Sequence, residues 1–168
     1  MSEHPRLDVG ELLASLIHAQ VRFVVIGGLA AQVHGSPILT ADVDVCPAVD
    51  RSNLERLATV LASLAAVRRD TASDVHAPVD FRALRAGDMF ILRTRLGDLD
   101  ILMHPDPGLD YEALEPHAIS TQILGVTVRV ASLDDLVAMK RAAGRPKDLL
   151  MLEHLGALRE EIDRRVDR

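Results

Sequence analysis

The sequence contains no tryptophan, and aromatic residues make up only 2% of it. The stacked aromatic platforms on which single-strand nucleic-acid binders lay their bases are therefore largely excluded. A single cysteine, Cys46, rules out an internal disulfide. No apolar run approaches the roughly 20 residues that a bilayer span requires; the longest, Phe23 to Val33, is interrupted by Gly27 and Gly28. The first residues, Met1 to Arg6, lack the basic opening and apolar middle of a signal peptide, so the expectation is a cytosolic chain with no membrane partner. Lysine is nearly missing: Lys140 and Lys147 are the only two. With 19 basic against 25 acidic residues the formal net charge is −6, which argues against a module that grips nucleic acid through a broadly basic surface.

What is present is a packable core. Hydrophobic residues are 48% of the 168, which excludes the disordered and low-complexity classes, and the length is that of one domain. We expect a single α+β domain over residues 1–168, with a mixed β-sheet, flanking helices and a core from about 20 to 131. C-terminal helices are expected from about 132 to 168. Leu7 to Ala19 spaces Val9, Leu12, Leu13, Leu16 and Ile17 along one helical face, with Asp8 placed to cap it. Phe23 to Ile26 is a short β-branched run that reads as a buried strand ending in a tight turn at Gly27-Gly28, followed by helix from Leu29 to His34.

Thr40 to Cys46 alternates acid and valine, placing Asp42 and Asp44 on one strand face and Val43 and Val45 on the other. Ser52 to Ala66 has helical spacing, with Ser52 and Glu55 arranged as a capping box. Arg68 to Asp80 is polar and irregular, which predicts a mobile loop or lid. Met89 to Thr94 and Leu99 to Met103 form a hairpin around Gly97, placing Asp98 and Asp100 on one face, and a second hairpin turns at Gly125. Ser132 caps a helix over Leu133 to Ala143, which breaks at Gly144 and Pro146 and resumes near Lys147.

Three features coincide: a strand ending in Gly27-Gly28, a following strand with the pair Asp42 and Asp44, and a later strand bearing Asp100. An acid pair two residues apart on a strand is ordinarily a solvated face. Here the valines fix the strand in the core, so the two carboxylates lie side by side, where a divalent cation relieves their repulsion. A glycine pair directly after a buried strand lets backbone N–H groups approach a phosphate, although the same pair also serves a plain strand-to-helix corner. Lys140, Arg141, Arg145 and Lys147 gather four cations around the helix break, suited to phosphate oxygens or else to pairing with Asp134, Asp135 and Asp148. His34 next to the glycines could reach a nucleotide but is more simply a hydrogen-bonded histidine, and Cys46 reads as a small buried hydrophobe.

Ile26-Gly27-Gly28, then Thr40 to Val45, then Gly97-Asp98-Leu99-Asp100-Ile101, resemble in order and spacing the nucleotidyltransferase superfamily whose members include DNA polymerase beta. His34 to Pro37 and the stretch from Ala131 to Asp148 are similar to its small bacterial branch of AbiEii and MenT-type toxins. The resemblance covers roughly residues 20 to 155. It implies transfer of a nucleoside monophosphate from an NTP, with Asp42 and Asp44 holding magnesium, or manganese, against the triphosphate. Asp100 would bind the ion that serves the acceptor hydroxyl, with Asp98, two residues earlier on the same face, as its rival. Gly27, Gly28, Thr40, Lys140, Arg145 and Lys147 would bind the nucleotide. The sequence departs from many relatives at Gly28, where they carry serine, and at Ile38-Leu39, where they often carry arginine. The toxin branch implies an RNA acceptor such as tRNA and a cognate antitoxin protein. A small-molecule acceptor, as in antibiotic modification, or a non-catalytic nucleotide-binding module are the alternatives.

Overall fold

The computed structural model describes residues 6–69, 79–144 and 146–166. Helix α1 (Val9–His18) starts where expected, with the Asp8 carboxylate accepting from the Glu11 N–H, and it buries Leu12, Leu13 and Leu16. Strand β1 (Phe23–Ile26) is buried along its whole length. It passes directly into α2 (Gly27–Val33), with Gly27 at φ +65° making the tight corner expected there. Strand β2 (Asp42–Pro47) follows, then α3 (Arg51–Ser63). The cap of α3 is Asp50, not Ser52: the Asp50 carboxylate accepts from the Asn53 N–H and also takes the Ser52 hydroxyl. An aspartate two residues earlier outcompetes the serine because it holds both donors at once.

Arg68, expected in an irregular loop, belongs to a short edge strand β3 (Val67–Arg68); residues 70–78 of the expected lid lie outside the described residues. Helix α4 (Phe81–Ala86) leads into the hairpin of β4 (Met89–Thr94) and β5 (Gly97–Leu102). A short helix α5 (Tyr111–Leu114), continued by one 3-10 turn, precedes the hairpin of β6 (Ile119–Ile123) and β7 (Val126–Val130). Helix α6 (Leu133–Ala143) is capped by Ser132 and ends on Gly144 at φ +59°, the left-handed conformation glycine adopts without strain. Helix α7 (Pro146–Val166) completes the chain.

The strands form one seven-stranded sheet in the order β3-β4-β5-β2-β1-β7-β6. It is mixed: β2 runs parallel to β5 and β1 parallel to β7, while the other pairs are antiparallel. Val43, Val45, Leu99 and Ile101 are fully buried on one side of the two central strands, which pins their register and turns the intervening acids to the other side. Asn53, also fully buried, ties α3 to the sheet by accepting from Arg22 N and donating to the Arg22 and Ala48 carbonyls. Among the described residues no helix is long and apolar enough to cross a membrane.

Candidate active site

The parallel pairing of β2 with β5 sets Asp42 opposite Asp98 and Asp44 opposite Asp100. Ile26 at the end of β1 pairs with Asp44, so the glycines that follow it start α2 directly beside that carboxylate. One oxygen each from Asp42, Asp44 and Asp100 can be chosen so that all three lie within 4.8 Å of one another. Asp100, rather than Asp98, is thus the third member of the group. Asp98, on the same face of β5, is instead held by Arg69 Nη1 at 2.9 Å and Arg93 Nε at 3.1 Å.

Thr40 stands at the head of β2, and its hydroxyl donates to Asp42 Oδ1 at 2.6 Å, fixing that side chain. Burial, then the charges of Asp42 and Asp100, push the Asp44 carboxyl up to about 7, opposed by Lys140 and by a hydrogen bond from the Gly28 N–H. Burial also raises Asp100, held back by its bond to Arg69. The glycines are there for close approach. Gly27 has φ +65°, and a Cβ on it would overlap the Asp44 carboxylate; a Cβ on Gly28 would come within 2.8 Å of Thr40 Cβ. Any larger residue would push the acid-bearing strand away from α2.

The three carboxylates open onto a cleft of about 400 Å³, within the size range of small-ligand sites. Helices α6 and α7 form one wall with Leu136, Met139, Lys140, Leu150 and Met151; β4, β5 and the following turn form the other with Met89, Ile91, Leu102 and Pro105. Leu39 stands almost fully exposed at the rim. Lys140 is therefore in the cleft. Arg141 is exposed on the same helix, Arg145 lies outside the described residues, and so does the side chain of Lys147. His34 does not line the cleft; its Nε2 lies 2.9 Å from the Ala131 carbonyl oxygen and fastens the end of α2 to the segment after β7. Cys46 is fully buried and its thiol is pushed up to about 12, by burial first, so it is an inert part of the core.

Sequence reasoning missed Arg69. It follows the edge strand in a polar stretch with no periodicity, and only the fold reveals that its guanidinium reaches Asp98 and Asp100. It also missed the apolar β4–β5 wall, because Met89, Ile91 and Leu102 read as ordinary strand residues until the register places them next to Asp100.

Three hard oxygen donors brought together, one of them kept from ionising by burial and then by the charges of the other two, are a donor set fitted to a divalent cation such as magnesium or manganese. The absence of a Cβ at Gly27 leaves room for Asp44 beside the start of α2, and its absence at Gly28 leaves room for Thr40.

No family model matches the sequence, and no curated protein matches it. Solved structures do. A protein of Thermotoga maritima described as a nucleotidyltransferase is 16% identical, with a TM-score of 0.54 over 92% of this chain and 89% of that one. The lincosamide antibiotic adenylyltransferase LnuA, solved with lincomycin bound, is 14% identical, with a TM-score of 0.59 over 91% of this chain and 99% of its own. The antibiotic-resistance factor ANT(2")-Ia, solved with adenylyl-2"-tobramycin, is 15% identical, with a TM-score of 0.54 over 94% and 96% of the two chains. At these identities the likeness establishes the fold: a nucleotidyltransferase-type α+β architecture, as the motif order implied.

Proposed function

We propose that the chain is a divalent-metal-dependent nucleotidyltransferase that moves a nucleoside monophosphate from an NTP onto an acceptor hydroxyl. The observation that carries this reading is the convergence of Asp42, Asp44 and Asp100 beside Gly27-Gly28 on neighbouring strands of this fold. In the reaction the acceptor oxygen bonds to the α-phosphorus, the bond to the β-phosphate oxygen breaks, pyrophosphate leaves, and the hydroxyl proton passes to solvent. Such transfer needs in-line positioning and charge neutralisation more than covalent help from the protein. Ions held by Asp42 and Asp44, with Asp100 completing the site, would supply charge neutralisation on the triphosphate and acidify the acceptor hydroxyl. Thr40 holds Asp42 in place for this role. Lys140 projects from α6 into the same cleft and is a point charge for a phosphate oxygen, with Arg145 and Lys147 proposed to extend that contact.

Two acceptors are in question. The sequence resemblance favours RNA, with tRNA as the type case, for a toxin restrained by a cognate antitoxin protein. A small hydroxylated molecule is favoured by the wall next to Asp100. Met89, Ile91, Leu102 and Pro105 offer apolar contact, and the guanidiniums of Arg69 and Arg93 are already engaged with Asp98 and Asp100. LnuA and ANT(2")-Ia, of the same fold, were solved with antibiotic ligands. The test is label transfer from each α-labelled NTP with magnesium, offering total RNA or a panel of hydroxylated small molecules, with Asp42→Ala as control. Label on RNA or on a small molecule, lost in the control, supports the transferase and identifies the acceptor. Nucleotide binding without any transfer leaves a binding module and overturns the enzymatic reading.

A further inference from the structure

Strand β5 presents Asp98 and Asp100, but neither carboxylate stands alone. Arg69 reaches both: Nη2 donates to Asp100 Oδ1 at 2.6 Å and Nη1 meets Asp98 Oδ2 at 2.9 Å. Its Nε donates to the Leu92 carbonyl at 3.1 Å and its backbone N–H to the Ile91 carbonyl at 2.8 Å, so the guanidinium is fixed along β4. Arg93 then takes the other oxygen of Asp98 at 3.1 Å. Two carboxylates and two guanidiniums thus alternate across β3, β4 and β5 and cancel in charge. Asp42 and Asp44, with Lys140 facing them, are the acids of the cleft that stand outside this network. One divalent cation is matched by that pair. A second ion, served by Asp100, finds an oxygen already shared with a cation.

We propose that Arg69 is a positioning residue for Asp100: it fixes the carboxylate beside Asp42 and Asp44 and, by its charge, withholds a second divalent-cation site until a bound triphosphate supplies the missing negative charge. The proposal rests on the reading of the three aspartates as a metal site and is independent of the acceptor. Charge and fork geometry are separable by substitution. Arg69→Gln removes the charge. Arg69→Lys keeps a cation on a stem that can reach one carboxylate but cannot fork between two.

The test titrates the full chain with Mn2+, reading free ion by its paramagnetic resonance signal, with and without an NTP analogue that cannot be cleaved between the α- and β-phosphates. In the wild type the second Mn2+ site is expected only with the analogue. In R69Q it is expected without it, and in R69K the wild-type pattern should persist because the charge remains. Turnover in R69K should fall by about 10- to 100-fold, the usual cost of losing a partner that orients a metal ligand, with KM for the NTP unchanged. Melting curves establish that each variant is folded. No gain of a nucleotide-free site in folded R69Q overturns the proposal, as does full turnover in R69K, which stands as the test if R69Q does not fold. Gain of the site in R69Q while the wild type transfers no nucleotide would refute the enzymatic reading and leave the role of Arg69 in place.

Discussion

Replacing Asp44 with asparagine should make the metal-free protein more stable, not less. The side chain keeps its shape and an oxygen to accept from the Gly28 N–H, but loses the charge that burial, Asp42 and Asp100 all oppose. Folding lifts the carboxyl from 3.8 to about 7. At about 1.36 kcal/mol per pH unit, ionising it at pH 8 costs the folded chain at most about 4 kcal/mol more than the unfolded one. The proton is bound more tightly by the folded chain, so the wild type has its full share of stability below pH 4. It loses that share as pH rises to about 7, and the deficit is constant above. Without metal, Asp44→Asn should therefore melt higher than the wild type at pH 8, by up to about 8 to 16 °C for a chain of this size, and the gap should close by pH 4. Saturating magnesium should close much of the gap, since an ion present at a hundredfold its dissociation constant adds about 2.7 kcal/mol to the form that binds it, against a deficit of at most about 4 kcal/mol. Thermal melts in chelator and in magnesium at both pH values measure all of this. An Asp44→Asn protein that melts no higher than the wild type in chelator at pH 8 would refute the account of an Asp44 carboxyl held back by burial and by its neighbours' charge.

Ala in place of Asp42 or Asp100 should abolish label transfer while the circular dichroism spectrum stays that of the wild type, because neither side chain contributes to the buried core. Gly27→Ala should cost about 1–3 kcal/mol from its positive φ alone, and more from overlap with Asp44, which urea unfolding would record together with weakened Mn2+ binding. Lys140→Met should raise KM for the NTP more than it lowers kcat, which steady-state kinetics on the labelled nucleotide would resolve. Asn53→Leu strands the Arg22 and Ala48 backbone groups and should destabilise by about 3 kcal/mol in urea, with Mn2+ binding by the folded fraction unchanged.

The alternation of acids with Val43 and Val45, and of Asp98 and Asp100 with Leu99 and Ile101, made the site strands legible, because burial on one face leaves period two no other arrangement. The order of motifs made the fold legible. The caps Asp8 and Ser132 were readable for the same local reason: each side chain meets a backbone N–H three residues on. Ser52 misled because two cap-competent residues stood two positions apart, and only the bound geometry favours Asp50. The choice between Asp98 and Asp100 was closed to periodicity, which places them on one face. The parallel register of β5 with β2, which sets Asp100 opposite Asp44 and within the close group that excludes Asp98, separates them. Edge strand β3 and helix α5 are too short to show a period, so they emerge only from contact with the rest of the chain.

The in-register pairing of β2 with β5 makes one ruler serve two purposes, and that constrains how the gene can change. A single codon inserted or deleted within Asp42–Pro47 or Gly97–Leu102 would carry valine, leucine and isoleucine to the cleft and aspartates into the interior at the same moment. Loss of catalysis and loss of folding would then be one event, with no intermediate in which a folded, inactive sheet persists. Length variation among descendants of this chain should therefore fall in the connections, such as the turn at Leu124-Gly125, and spare these two strands.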